Sequence, residues 1–112
     1  MDLDIRHNGS VCLLKLKGSL KFGEPVTKFD EAWRSALASG HIQLVFDLSM
    51  MPFIDSCGIG AIVNALREAK KHGGDVRLVD PSPFALKTFK MVAILSLFSL
   101  YATEAEAIAA SS

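Results

Sequence analysis

The chain is short of the features that mark a specialised environment. Charge of one sign is missing: twelve Lys and Arg face twelve Asp and Glu in 112 residues, a formal net charge of zero. A general nucleic-acid binder usually carries a basic excess, so this balance argues against that class while leaving room for a local patch. Cysteine is scarce. Cys12 and Cys57 allow at most one bridge, which is not a secreted disulfide framework. Long apolar runs are absent too. The most hydrophobic stretch, residues 91–102, is broken by Ser96 and Ser99 and falls short of the roughly 18 to 20 residues that cross a bilayer. Residues 1–7 are polar and charged and offer no signal-peptide apolar region. The expectation is a reduced, cytoplasmic protein with no direct membrane insertion.

Recognisable reaction chemistry is equally sparse. There is no Gly-x-x-x-x-Gly-Lys-Ser/Thr phosphate loop, and Gly58-Ile59-Gly60-Ala61-Ile62-Val63 lacks the third glycine of a dinucleotide fingerprint. His7, His41 and His72 are scattered, without Cys or His at metal-ligand spacing. No cysteine-hydrolase signature surrounds Cys57. No enzyme, metal or cofactor is expected.

What is present is a hydrophobic half of the composition, enough for one core without staples, read as a single domain over 1–112. Val11 to Lys17 alternates, with Cys12, Leu14 and Leu16 on one face and Lys15 and Lys17 on the other. That is the period of a half-buried strand. Residues 2–6 are similar, and His7-Asn8-Gly9-Ser10 supplies a turn. Pro25, then Val26, Phe29, Trp33, Ala36 and Leu37, predict a helix ending near Gly40. Residues 42–48 read as a strand buried on both faces. Ile59, Ile62, Val63, Leu66 and Ala69 form one helical stripe closed by Gly73-Gly74, and residues 76–79 make another short strand. Ser82-Pro83 opens a third helix through Phe89. A last strand is expected within 95–101. Thr103 to Glu106 is a capping box starting a C-terminal helix. The order β-β-α-β-α-β-α-β-α implies an α/β fold, a mixed and mostly parallel sheet with flanking helices.

The most informative segment runs Phe46-Asp47-Leu48-Ser49, then Met50 to Ile54, then Asp55-Ser56-Cys57-Gly58-Ile59-Gly60. It is a buried strand, a loop and the start of an amphipathic helix. Loops leaving the carboxyl ends of parallel strands are where ligands and partners bind. A helix N-terminus there offers free N–H groups and partial positive charge, suited to an anion or to a phosphate on its own side chain. Small residues at 56, 58 and 60 would let another backbone approach. The same residues also fit a purely structural role, with Ser56 an N-cap, Gly58 and Gly60 packing space, and Asp55 a loop carboxylate. Met50, Met51 and Phe53 suit either a partner-contact patch or burial under the sheet end. Trp33, Phe84, Leu86 and Phe89 read as core.

These residues carry a resemblance to a known family. Asp55 to Gly60, with Phe46-Asp47-Leu48-Ser49 and Pro52-Phe53-Ile54-Asp55 before them, resembles the signature of STAS domains, the bacterial anti-sigma factor antagonists and their relatives. The likeness extends over nearly the whole chain, including the opening hairpin, the Gly18 turn, the Gly73-Gly74 break and the Ser82-Pro83 helix. It implies a non-enzymatic domain that binds an anti-sigma factor with serine kinase activity and thereby frees a sigma factor. Phosphorylation of the hydroxyl residue immediately before the first motif glycine breaks such a complex.

That position is Cys57 here, where relatives carry Ser or Thr. Three readings stay open: a switch-insensitive constitutive binder, phosphate accepted by Ser56 instead, or a redox switch at Cys57. Lys21 is a second departure, standing in Gly18-Ser19-Leu20-Lys21 where many relatives are acidic. It either alters partner choice or is a solvated loop residue. A stand-alone STAS subunit of another assembly, a lipid-transporter ATPase or a stressosome-like complex, is the alternative to the anti-sigma reading.

Overall fold

Alternating side chains open the chain as a hairpin. β1 (Asp2–Asn8) and β2 (Val11–Lys17) pair antiparallel, closing on Asn8 opposite Val11, and Gly9 takes a φ of 62° in the turn between them. A computed structural model describes residues 1–111. After the hairpin come α1 (Glu24–Ala38), β3 (Gln43–Met50), α2 (Ser56–Lys71) and β4 (Asp75–Val79). They are followed by α3 (Pro83–Met91), β5 (Ser99–Tyr101) and α4 (Glu104–Ser111). The strands lie in the order β1-β2-β3-β4-β5, with β2 through β5 mutually parallel. This is the mixed, mostly parallel α/β sheet expected from the element order.

Helices cover both faces of the sheet. Phe29, Trp33 and Leu37 of α1, Ile62, Ala65 and Ala69 of α2, and Phe89 of α3 bury themselves against Leu14, Leu16, Leu44, Phe46 and Leu48. On the opposite face, Ala107 of α4 packs on Val11, Leu13, Val45 and Val79. β3 is therefore covered on both sides, as its unbroken apolar run predicted. β2 departs from the half-buried pattern. Val11 and Leu13 are buried under α4, and only Lys15 and Lys17, beyond that helix, stay partly exposed. Trp33 is core as expected, and its indole N–H donates to Asp30 Oδ1 at 3.0 Å.

Two local readings change, and the last strand falls within the expected 95–101. α3 runs on to Met91, and residues 95–97 form a single 3-10 turn, leaving only Ser99–Tyr101 as strand. Phe84 is not core but 46% exposed, because the buried side of α3 is the one carrying Ala85 and Phe89. The capping box is half formed: Thr103 Oγ1 accepts from Glu106 N at 3.2 Å, whereas the Glu106 carboxylate accepts from the threonine hydroxyl.

α4 is tethered by charge as well as packing. Glu104 pairs with Arg6 of β1 and faces buried Asp47 of β3. Burial opposes ionisation of Asp47, but hydrogen bonds from Glu104 and Ser49 outweigh it and lower its pKa. The interaction with Asp47 and burial raise that of Glu104, so the two carboxyl groups shift in opposite directions. No helix among the described residues is long and apolar enough to cross a membrane.

Candidate functional site

The carboxyl end of the sheet is built by zipping two loops together. The β2–β3 register shifts between Lys15 and Lys17, which carries β3 on to Met50, and Gly18 N donates to Met50 O at 3.0 Å. Leu20 then forms a lone parallel bridge with Ile54. Leu20 N donates to Phe53 O at 3.0 Å, and Asp55 N donates to Leu20 O at 3.3 Å. Residues 18–23 are thereby fixed beside the start of α2.

Asp55 completes that junction. Its Oδ1 accepts from Gly58 N and its Oδ2 from Phe22 N, both at 2.9 Å. The alternative with Ser56 as cap and Asp55 as a mere loop carboxylate is corrected: Asp55 is the N-cap and Ser56 is the first helical residue. A carboxylate has two oxygens for two donors on different segments, where a hydroxyl has one. Those backbone hydrogen bonds, Phe22 first and then Gly58, lower the Asp55 pKa. A lowered pKa means stability present above the unfolded value and lost as pH falls through the folded one. Asp55→Ala is therefore expected to cost about 1–2 kcal/mol at neutral pH. The gap to the wild type should narrow below the usual aspartate range of about 3.9. Urea titrations at neutral and acidic pH check this; a gap that ignores pH would refute the role.

With Asp55 capping, Ser56 and Cys57 stand exposed on the first turn of α2. Gly58 is buried instead. A Cβ there would lie 2.3 Å from Leu20 O, so the close backbone neighbour is the chain's own loop. Gly60 is open, with nothing within 4 Å of the equivalent position, and Ile59 is half-buried against the core. A shallow cleft of about 530 Å³ runs from Cys57 along α2 past Gly60, Asn64 and Arg67, walled by Val26 and Asp30 of α1.

Large apolar side chains lie exposed near the same end. Met50 is 52% and Phe53 41% exposed, and the Phe53 ring lies 5.2 Å from that of Phe84. Phe22, whose N–H binds Asp55, is 79% exposed with Lys21 beside it, also exposed. Met51 must be removed from the contact set. Its side chain is fully buried, and its carbonyl accepts from Ser82 Oγ at 2.7 Å, tying the loop to the start of α3. Phe22 and Phe84 are additions. Phe22 in a loop before Gly23 carried the same signal as Phe53, an aromatic with no periodic partner.

The two thiols differ in kind. Burial pushes the Cys12 thiol up to about 11 and seals it in the core, while Cys57 is exposed and free. No group of three metal-binding side chains occurs among the described residues.

A strand, a zipped loop and an acid-capped helix whose exposed first turn precedes a buried glycine make a specific arrangement. Residues 2–107 match the STAS domain family model. The chain belongs to the STAS domain family. Similar folds are found in several solved structures. The Thermotoga maritima protein TM1081 superposes with a TM-score of 0.88 at 24% identity, covering 97% of this chain and 93% of that one. An anti-sigma-factor antagonist (STAS) domain protein of Planctomyces limnophilus gives 0.85 at 20%, covering 99% and 98%. The phosphorylated form of the Bacillus cell fate determinant SpoIIAA gives 0.78 at 23%, covering 97% and 98%. SpoIIAA, an anti-sigma factor antagonist, has also been solved unphosphorylated. This STAS domain thus shares its fold with proteins described as anti-sigma factor antagonists, and its Cys57 sits on the exposed first turn of α2.

Proposed function

We propose that this STAS domain is a non-catalytic, cytoplasmic regulatory module of the anti-sigma factor antagonist type, binding an anti-sigma factor with serine kinase activity. The observation that carries this reading is the exposed first turn of α2, Ser56 and Cys57, held by the Asp55 cap near the exposed Met50, Phe53, Phe22 and Phe84. Such a surface is apolar enough to dock a protein, while its helix N-terminus makes it sensitive to added charge. Cys57 occupies the family's phosphoacceptor position, and a thiol is a poor acceptor for a serine kinase. The module is therefore constitutive at that position.

The redox reading is the weaker one. A disulfide switch within one chain needs a second accessible thiol, and Cys12 lies sealed in the core.

Binding is tested by capturing partners on the purified protein and on Cys57→Asp. An ATPase-type anti-sigma factor should be retained by the wild type and lost by the variant, because a fixed negative charge enters the contact centre. Recovery of transporter subunits or of a stressosome-like particle would replace this partner with another assembly. Retention of the anti-sigma factor by Cys57→Asp would place the interface elsewhere.

A further inference from the structure

We propose that β1 is a self-pairing edge, through which two copies of this chain join antiparallel about a two-fold axis at Ile5 into one continuous sheet. β1 is an outer strand, matched to β2 without interruption from Asp2 to Asn8. It holds no Pro, Gly or bulge to block pairing, and its charged residues Asp2, Asp4 and Arg6 carry both signs, so they can be matched rather than repel. Ile5 is 51% exposed on it.

Hairpin geometry decides which backbone groups face outward. A turn of Gly9 and Ser10 makes Asn8 and Val11 the closing hydrogen-bonded pair. Alternate residues Asp2, Asp4, Arg6 and Asn8 then bond to β2, and Leu3, Ile5 and His7 direct N–H and C=O away from the sheet. Two such edges can meet only with these outward residues opposite one another. An axis at Asp4 sets two aspartates face to face, and an axis at Arg6 sets two arginines together. An axis at Ile5 places Asp4 opposite Arg6 twice, Leu3 opposite His7, and Asp2 opposite Asn8.

Charge complementarity extends beyond the strand. Asp4 lies 2.8 Å from Lys17, and Arg6 pairs with Glu104, so each crossing adds an alternating row of Lys17, Asp4, Arg6 and Glu104. On the other face, Leu3 and Ile5 border an apolar groove of about 380 Å³ against Ala32 and Ala36 of α1. The second copy's Leu3 and Ile5 continue that strip. The contact uses none of Lys21, Met50, Phe53 or Ser56 to Gly60, so it stands or falls apart from the partner site.

Sedimentation of the full chain over a concentration series tests the proposal, together with Asp4→Lys and Arg6→Glu. The wild type is expected to dimerise. Each reversal alone should weaken self-association by about tenfold or more, since like charges then face each other twice. An equimolar mixture of the two should restore the dimer, because the reversed strands complement one another. A wild type that stays monomeric into the millimolar range, or reversals that dimerise as well as it does, would overturn the proposal. Ile5→Cys in a Cys57→Ser background provides a readout independent of the charge changes. Mild oxidation should link two copies, Cα atoms of such a pair lying about 5.5 Å apart, and absence of the linked dimer also counts against the proposal.

Discussion

Gly58→Ala is expected to cost the fold about 3 kcal/mol or more, while Gly60→Ala, two residues along the same helix, should stabilise it by about 0.5–1 kcal/mol. Both sites are glycines in α2 with ordinary helical backbone, so propensity favours alanine equally at each. Surroundings decide the sign. A Cβ at Gly58 meets Leu20 O at 2.3 Å and Ile54 Cγ1 at 2.8 Å, whereas at Gly60 it meets nothing within 4 Å. The Leu20 segment cannot simply retreat. Its carbonyl accepts from Asp55 N, its N–H donates to Phe53 O, and Phe22 N is held by Asp55 two residues on. Displacing the strap breaks those bonds together. In a domain of this size 1 kcal/mol moves Tm by about 4 °C, so thermal denaturation should show Gly58→Ala melting about 12 °C below the wild type. Equal melting temperatures for the two variants would mean that the strap is not seated on α2.

The same strap explains what was legible in the sequence and what was not. Element order could be read because each period reports a local geometry: alternation in Val11 to Lys17, a helical stripe from Ile59 to Ala69, turn chemistry at Gly9 and Ser82. Val11 and Leu13 share a face of β2 with Lys15 and Lys17, and the two lysines masked the sign that α4 covers the first half of that face. At the candidate site, the motif Asp55 to Gly60 drew attention to the first turn of α2 but did not assign its parts. Asp55 and Ser56 are both good caps in isolation. What separates them is Phe22 N, a second donor brought in by a loop distant in sequence. Gly58 suggested room for a visiting backbone, and the backbone that fills the room is Leu20. Met50, Met51 and Phe53 formed one apolar run. Only the register shift opposite Lys15 and Lys17, which extends β3 to Met50, turns Met51 inward and leaves its neighbours out.

Cys57→Ser is expected to convert a protein that gains no phosphate into one that gains a single phosphate when incubated with its kinase partner and ATP. Intact-mass measurement reads the change directly, and the substitution is nearly isosteric at an exposed position, so stability should not move. The fold can accept the modification. A phosphate on the first turn of α2 meets the positive end of the helix, while Asp55, the nearest carboxylate in sequence, already has both oxygens engaged by Gly58 and Phe22 N–H groups. The penalty therefore falls on the partner. About −1.5 to −2 charges enter the cleft that position 57 shares with Asp30 and Arg67, and binding should weaken by about 100-fold or more. Ser56 provides the internal control. If the wild type gains a phosphate that Ser56→Ala removes, the acceptor has moved one residue toward the cap and the module is switchable after all. If neither the wild type nor Cys57→Ser gains mass from a bound kinase, position 57 is not presented to it and the phosphoswitch reading of this helix turn fails. A phosphate confined to Cys57→Ser would leave one conclusion: replacement of a single oxygen by sulfur separates a constitutive antagonist from a regulated one.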